Sequence, residues 1–242
     1  MMKNKKIAFG DNSKLRFSVV RKVFCTFLHH KRLVLLIGLF AYLLIGFSGC
    51  AKKEIINLGS KGKNIICFGD SITFGYGVNE GEDYPTALAK MIGEPVINAG
   101  VDGDTSTDGL KRLEQDVLKH EPLLVIVEFG GNDFLKKVPK EETFKNISLM
   151  VDKIHSEGAM VAIADISAGM FFREYRLSLR RLAREKGAIF IPSVLSGIIT
   201  TPQLKSDFLH PNADGYAIVA RRVYRAIRPY LKQGTPLTKT KE

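Results

Sequence analysis

The chain contains no tryptophan and only three cysteines among its 242 residues. Cys25 and Cys50 lie in an N-terminal leader, and Cys67 lies in an apolar run, so no disulfide framework can form within one domain. The spacing of the cysteines fits no zinc pattern either. These absences exclude a small disulfide-rich or zinc-stabilised domain, and we expect Cys67 to be a small buried apolar side chain.

Acidic residues are nearly missing from the leader, and charge of either sign is missing from its last 18 residues. Residues 1–32 hold nine lysines and arginines against one acid, and residues 33–50 hold no charge. Beyond residue 50 there are 27 bases and 24 acids, so most of the net charge of +11 belongs to the leader. The remaining chain lacks the strong basic excess of a nucleic-acid-binding domain, and no nucleic-acid partner is expected.

The leader, residues 1–50, has the layout of an export signal. A basic stretch ends at Lys31-Arg32, an uncharged segment runs from Leu33 to Phe47, and Ser48-Gly49-Cys50 follows. Small residues directly before a cysteine resemble a bacterial lipoprotein box, in which Cys50 is lipidated and becomes the mature N-terminus. An uncleaved membrane anchor and a cleaved, secreted form are the alternatives, because about 18 uncharged residues nearly span a bilayer. Each alternative places the following domain outside the cytoplasm, in or beyond the cell envelope.

The rest of the chain alternates short apolar runs with amphipathic segments, between a tether over residues 51–63 and a polar tail over residues 233–242. Uninterrupted apolar runs separated by helices predict a parallel sheet that is covered on both faces. Residues 64–232 should therefore form a three-layer α/β/α sandwich around a doubly wound sheet of about five strands. The expected strands are 64–69, 95–99, 123–129, 160–166 and 188–192, and the expected helices are 84–92, 105–119, 141–157, 172–186 and 212–232.

Three polar motifs follow the first three expected strands. They are Gly69-Asp70-Ser71, Gly103-Asp104-Thr105 and Gly130-Gly131-Asn132-Asp133. Because the ligand crevice of an open α/β sheet lies outside the carboxyl ends of its strands, the three motifs should meet in one cleft.

Ser71 is the candidate nucleophile, and a serine hydroxyl needs a neighbouring base. Of the five histidines, two lie in the leader and two lie on or at the end of predicted helices, which leaves His210 in a loop before the last helix. Asp207 precedes it closely enough to hold the imidazole, so the three side chains can form a catalytic triad. The structural alternatives are a helix or turn cap for Ser71 and a turn-stabilising role for Asp207.

These motifs, with Asp207-Phe208-Leu209-His210, match the four blocks of the GDSL or SGNH hydrolase family. The stretch from Ile65 to Phe134 resembles most closely the family's bacterial arylesterases, which also act as thioesterases and lysophospholipases. The resemblance implies the flavodoxin-like SGNH fold and no cofactor or metal. It also implies an oxyanion hole formed by the backbone N–H groups of Ser71 and Gly103 and the side-chain amide of Asn132.

The leading hypothesis is a serine esterase that hydrolyses carboxylic esters or thioesters through an acyl-enzyme, acting as a monomer on a small ester or lipid. An O-acetylesterase acting on cell-envelope carbohydrate is the alternative, and a non-catalytic envelope-binding lipoprotein is a third. The loop from Tyr76 to Tyr84 and the segment 168–172 are expected to line the pocket. Phe134, Met170 and Phe171 favour a site for acyl chains over one for acetylated sugars.

Overall fold

The structure is a computed structural model, and it describes residues 54–167 and 173–234. Five strands form one parallel sheet in the order β2-β1-β3-β4-β5. The strands are β1 (Asn64–Gly69), β2 (Val96–Gly100), β3 (Pro122–Glu128), β4 (Met160–Ala164) and β5 (Ile189–Ile191). The α-helices within these ranges are α1 (Ser71–Phe74), α2 (Tyr84–Ile92), α3 (Ser106–Asp116), α4 (Gly131–Leu135), α5 (Lys140–Ser156), α6 (Arg173–Lys186) and α7 (Ala213–Gly234).

The predicted three-layer sandwich is confirmed, because alternate residues of each strand pack on opposite faces of the sheet. Ile65 and Cys67 of β1 belong to the core layer that includes buried residues of α2 and α7. Ile66 and Phe68 belong to the other layer, which includes buried residues of α3, α5 and α6. Cys67 is fully buried, as expected, and burial raises the pKa of its thiol to about 12.

The element boundaries differ from the predicted ones by a few residues, and the two shortest helices were not predicted. The helix expected over residues 105–119 ends at Asp116, and a 3₁₀ turn at Leu118–His120 follows. The helices α1 and α4 are about one turn each, too short to show a 3.6-residue apolar period in the sequence. Both begin two or three residues after a strand end, so they belong to the turns that carry the polar motifs.

Part of the segment assigned to the tether packs against the domain. The Ile56 N–H donates to the carbonyl of Gly187 at 2.9 Å, and the Asn57 amide donates to the carbonyls of His155 and Ala159. The leader with Cys50, the pocket candidates Met170 and Phe171, and most of the polar tail lie outside the described residues. Across residues 54–167 and 173–234, no helix combines the length and apolar character needed to cross a membrane.

Candidate active site

Ser71 is the first residue of α1, immediately beyond the carboxyl end of β1. Asp70 caps this short helix, because its Oδ1 accepts a hydrogen bond from the Ile72 N–H at 3.1 Å. Gly69 permits the tight turn, since a Cβ there would collide with the Thr73 hydroxyl and the Glu128 carboxyl group. The sequence therefore ends the strand at a residue without a side chain and presents the serine hydroxyl at the sheet edge.

His210 and Asp207 complete a hydrogen-bonded chain with Ser71. The Ser71 Oγ lies 3.0 Å from His210 Nε2, and His210 Nδ1 lies 2.8 Å from Asp207 Oδ2. The backbone N–H groups of Leu209 and His210 donate to Asp207 Oδ1 at 2.7 and 2.8 Å. The loop is also fixed from its far side, where Asn212 Oδ1 accepts from the Gly215 N–H at 3.1 Å in the first turn of α7.

These contacts keep Asp207 ionised. Partial desolvation acts to raise the pKa of its carboxyl group, but the hydrogen bonds from His210 and Leu209 outweigh it and hold the pKa below the ordinary value. A carboxylate that accepts from Nδ1–H leaves Nε2 of a neutral imidazole free to accept a proton. The three side chains proposed from the sequence are therefore brought together in the order that a triad requires.

Asn132 lines the cavity and is hydrogen-bonded to the loop that contains Gly103. The Asn132 side-chain amide donates to the carbonyl of Asp104 at 3.0 Å, which leaves its second N–H for another acceptor. Gly103 has a φ of +79°, and no atom lies within 4 Å of the position a Cβ would take. A glycine suits this position because its backbone is left-handed, a conformation that a side chain would strain.

Asp133 fixes these two segments relative to each other, a role that the sequence analysis did not assign. Its buried carboxylate accepts from the Ser106 N–H at 2.8 Å, from the Ser106 hydroxyl, and from the Thr143 hydroxyl at 3.1 Å. Ser106 begins α3, three residues after Gly103, and Asp133 is the neighbour of Asn132. The start of α3 and the start of α4 are thus tied through one buried side chain.

Arg112 on α3 holds the ends of the first two strands, and this role was also missed. Its guanidinium donates to the carbonyls of Gly69 and Ala99 at 2.9 and 2.8 Å, and to Asp104 at 2.6 Å. Its side chain is 17% exposed and lies 4.5 Å above the Phe68 ring. A single side chain therefore links the strand that precedes Ser71 with the loop that contains Gly103.

Glu128, the last residue of β3, is buried beneath the Ser71 turn. Its Oε2 accepts from the Thr73 hydroxyl at 2.8 Å and from the Asp70 N–H at 3.3 Å. Burial, and then the nearby charge of Asp70, raise the pKa of Glu128 well above its ordinary value. Burial also raises the pKa of the neighbouring Asp70, to about 6, so the environment beneath the Ser71 turn disfavours the charged form of both carboxyl groups.

A cavity of about 410 Å³ opens beside Ser71 and His210. Most of the side chains that line it are apolar, including Ile166 and Leu195, and Phe134 lies among them as expected. Tyr76 belongs to the loop that was expected to line the pocket, but its ring packs against His210 at 4.5 Å between centroids. Within residues 54–167 and 173–234, no three His, Cys, Asp or Glu side chains are arranged to hold a metal ion.

A doubly wound α/β domain with a Ser–His–Asp chain beside an apolar cavity is typical of serine hydrolases. The chain belongs to the GDSL-like lipase/acylhydrolase family, whose model matches residues 67–218. It is 25% identical to the esterase TesA of Pseudomonas aeruginosa over 195 residues, which cover 76% of this chain and 97% of that protein. It is 27% identical to thioesterase 1/protease 1/lysophospholipase L1 of Escherichia coli K12 over 173 residues, which cover 68% of this chain and 83% of that protein.

A comparison with solved structures points to the same family as the sequence comparison. The crystal structure of TesA superposes with a TM-score of 0.64 at 26% identity, and the match covers 70% of this chain and all of that one. The fold expected from the sequence is thus the fold of an esterase family, and the protein is a hydrolase of ester bonds.

Proposed function

We propose that the enzyme cleaves esters or thioesters of apolar acyl chains, with Ser71 as nucleophile, His210 as general base and Asp207 as the group that orients His210. The observation that carries the proposal is the continuous hydrogen-bonded chain from Ser71 Oγ through His210 to Asp207 at the mouth of an apolar cavity. A serine hydroxyl that already donates to a neutral imidazole can lose its proton as it attacks.

In the first half-reaction, Ser71 Oγ bonds to the carbonyl carbon of the substrate while His210 Nε2 takes the hydroxyl proton. The carbonyl oxygen becomes an oxyanion, which would accept from the Ser71 and Gly103 N–H groups and from the second N–H of the Asn132 amide. Collapse of this intermediate breaks the bond to the alcohol or thiol, which receives the proton from His210. An acyl-serine remains, and water attacks it by the same route to release the acid and restore Ser71.

The lining of the cavity supports acyl chains over acetyl groups. An acetyl group has one methyl to bury, whereas a cavity of about 410 Å³ with mainly apolar walls can hold a chain of several methylenes. Each buried methylene contributes about 0.8 kcal/mol of transfer free energy, so transition-state binding should improve with chain length until the cavity is filled. The match to a relative named as a thioesterase and lysophospholipase favours the same substrate class.

A chain-length series of p-nitrophenyl esters tests this substrate class. We expect kcat/KM to rise from the acetyl ester to esters of medium chain length. A maximum at the acetyl ester with a steep decline afterwards would contradict the proposal and favour the O-acetylesterase alternative.

The nucleophile assignment is tested by Ser71→Ala, with Ser156→Ala as the control. Ser156 is an exposed serine at the end of α5. Removing the attacking oxygen should lower kcat by about 10⁴-fold or more, with an unchanged circular dichroism spectrum. The control should match the wild type. A Ser71→Ala enzyme with near-wild-type turnover would remove Ser71 from the mechanism.

We infer further that the leader delivers the enzyme to the cell envelope, with Cys50 as the site of lipidation. The inference rests on the order of a basic segment, an uncharged segment and small residues directly before a cysteine. An uncleaved signal anchor is the alternative, and both arrangements hold the domain at a membrane surface.

A further inference from the structure

Exposed apolar side chains are concentrated around the mouth of the cleft. Ten large apolar side chains are exposed within the described ranges, and seven of them follow the carboxyl ends of the strands or belong to the His210 loop. Phe134, Leu135, Phe208 and Leu209 line the cavity mouth. Phe74, Tyr76 and Val101 follow β1 and β2 at the same edge of the sheet. We call these seven residues the apolar rim.

Phe208 is the most exposed member of the apolar rim, with 82% of its surface accessible. Its position is fixed, because Asp207 accepts hydrogen bonds from the two backbone N–H groups that follow Phe208. A phenylalanine held in water on the catalytic loop costs solvation free energy, and large exposed apolar patches mark surfaces that bind partners or membranes.

Positive charge borders the apolar rim. Lys136 and Lys137 follow Leu135 directly, and the Lys205 ammonium lies 5.7 Å from the centre of the Phe208 ring. The acids at this edge are largely engaged, since Asp207 binds His210 and Asp104 binds Arg112. Asp102, Asp70 and Asp165 line the cavity, and the latter two are buried. Apolar side chains bordered by lysines are the pattern of surfaces that enter the interface of anionic lipids.

We propose that the apolar rim docks on the surface of an anionic phospholipid bilayer, with the cleft facing the lipid. Phe208 and its neighbours insert among the acyl chains, and Lys137 and Lys205 contact the lipid phosphates. An acyl chain could then pass from the bilayer into the cavity without crossing water. Only this last step depends on the proposed function. The docking itself depends on the apolar rim and its bordering lysines, and not on the roles of Ser71, His210 and Asp207.

The absence of tryptophan from the chain provides a direct test. Phe208→Trp places the variant's single tryptophan, which is excited selectively over tyrosine, on the apolar rim, and Leu149→Trp places it at an exposed position on α5 outside the rim. Both full-length variants are added to vesicles of phosphatidylcholine and phosphatidylglycerol in a 3:1 ratio, with bromine on the acyl chains. Because both carry the same leader, binding through the leader alone affects them equally.

We expect the emission of the Phe208→Trp variant to shift to shorter wavelength and to be quenched by bromine, while the Leu149→Trp variant shows neither change. Equal quenching of the two variants would overturn the proposal, as would no quenching of either. Emission from Phe208→Trp that is already at short wavelength without vesicles, and unaffected by them, would show that protein covers the rim and would also overturn it.

The lysines are tested in the Phe208→Trp background. Lys137→Glu with Lys205→Glu should abolish most of the quenching, whereas Lys119→Glu with Lys153→Glu, which reverses exposed lysines near the opposite edge of the sheet, should preserve it. Equal effects of the two pairs would contradict specific docking. Hydrolysis of a water-soluble short-chain ester is measured in parallel, so that a failure of the catalytic proposal is distinguished from a failure of docking.

Discussion

The Ser71 hydroxyl and His210 Nε2 lie 3.0 Å apart although 139 positions separate the two residues in the chain. Ser71 is placed by the first strand of the sheet, and His210 is placed by the loop that precedes the last helix. Tyr216 of α7 connects the two regions, because its hydroxyl donates to the carbonyl of Tyr76 at 3.1 Å. The contact between Ser71 and His210 therefore forms only when the first and last elements of the domain have packed together.

Asp207→Asn should impair turnover through the tautomer of His210. An asparagine amide can donate to Nδ1, which would move the imidazole proton to Nε2 and remove the base that faces Ser71. In a serine protease this change lowers kcat by about 10⁴-fold with little disturbance of structure, and we expect a loss of similar order here. Steady-state kinetics with Asp152→Asn, an exposed aspartate on α5, as the control would measure it. A loss of less than tenfold would contradict an orienting role.

Asn132→Ala should lower kcat by about 10²–10³-fold with little change in KM, because an oxyanion donor acts mainly in the transition state. The variant also loses the hydrogen bond to the Asp104 carbonyl, so its free energy of unfolding should be measured alongside. Asn79→Ala, at an exposed turn, is the control. An increase in KM without a change in kcat would instead assign Asn132 to ground-state binding.

Glu128→Gln should change how stability depends on pH. The folded pKa of Glu128 lies well above its ordinary value of 4.5, so above about pH 5 the unfolded state loses this proton while the folded state keeps it. The wild type should therefore lose free energy of unfolding relative to the variant as pH rises, by at most about 1.4 kcal/mol per pH unit. Glutamine is neutral and can still accept from Thr73.

Urea denaturation between pH 5 and 8 would measure this difference, with Glu157→Gln as an exposed control. We expect the curves of wild type and Glu128→Gln to diverge with rising pH and those of wild type and control to stay parallel. Parallel curves for Glu128→Gln would show that the buried carboxyl group is ionised throughout.

The sequence predicted the sheet and the positions of the main site residues because these depend on local patterns. The run from Ile65 to Phe68 indicates a strand, Gly69 indicates its end, and the polar motif then has to lie at the sheet edge. The motif after β2 is local in the same sense, because Thr105 caps α3 and forms a capping box with Asp108 three residues later. Asn212, directly before α7, likewise accepts from the Gly215 N–H in the first turn of that helix.

The supporting residues could not be predicted because their roles depend on distant partners. Arg112 occupies an ordinary position on an amphipathic helix, and nothing nearby in sequence shows that it reaches the carbonyls of Gly69 and Ala99. Glu128 ends an apolar strand as any solvent-facing acid could, and its pKa is raised first because the Ser71 turn buries it and then because Asp70 is brought close to it. The roles of Arg112 and Glu128 both depend on packing against residues that are distant in the sequence.

Arg112→Lys should lower kcat more than it raises KM. Lysine keeps the charge but cannot contact the carbonyls of both strands and Asp104 together, so the loop with Gly103 would shift relative to Ser71. A displacement of about 1 Å can cost on the order of 10²-fold in rate. Lys111→Ala, which removes an exposed side chain on the same helix, is the control. Unchanged kcat with reduced stability would limit Arg112 to a structural role.

Cys50→Ser tests the proposed lipidation of the leader. Lipidation requires the Cys50 thiol, and Ser48 and Gly49 are small enough to admit a signal peptidase at the preceding bond. The wild type should incorporate labelled palmitate and lose the leader, whereas the variant should remain an unlabelled precursor of higher apparent mass. Cys25→Ser is the matched control and should be processed as the wild type, because Cys25 precedes the uncharged segment. If Cys50→Ser is cut at the same bond, or if the wild type takes up no label, the lipoprotein assignment fails and an anchor or an ordinary secretory signal replaces it.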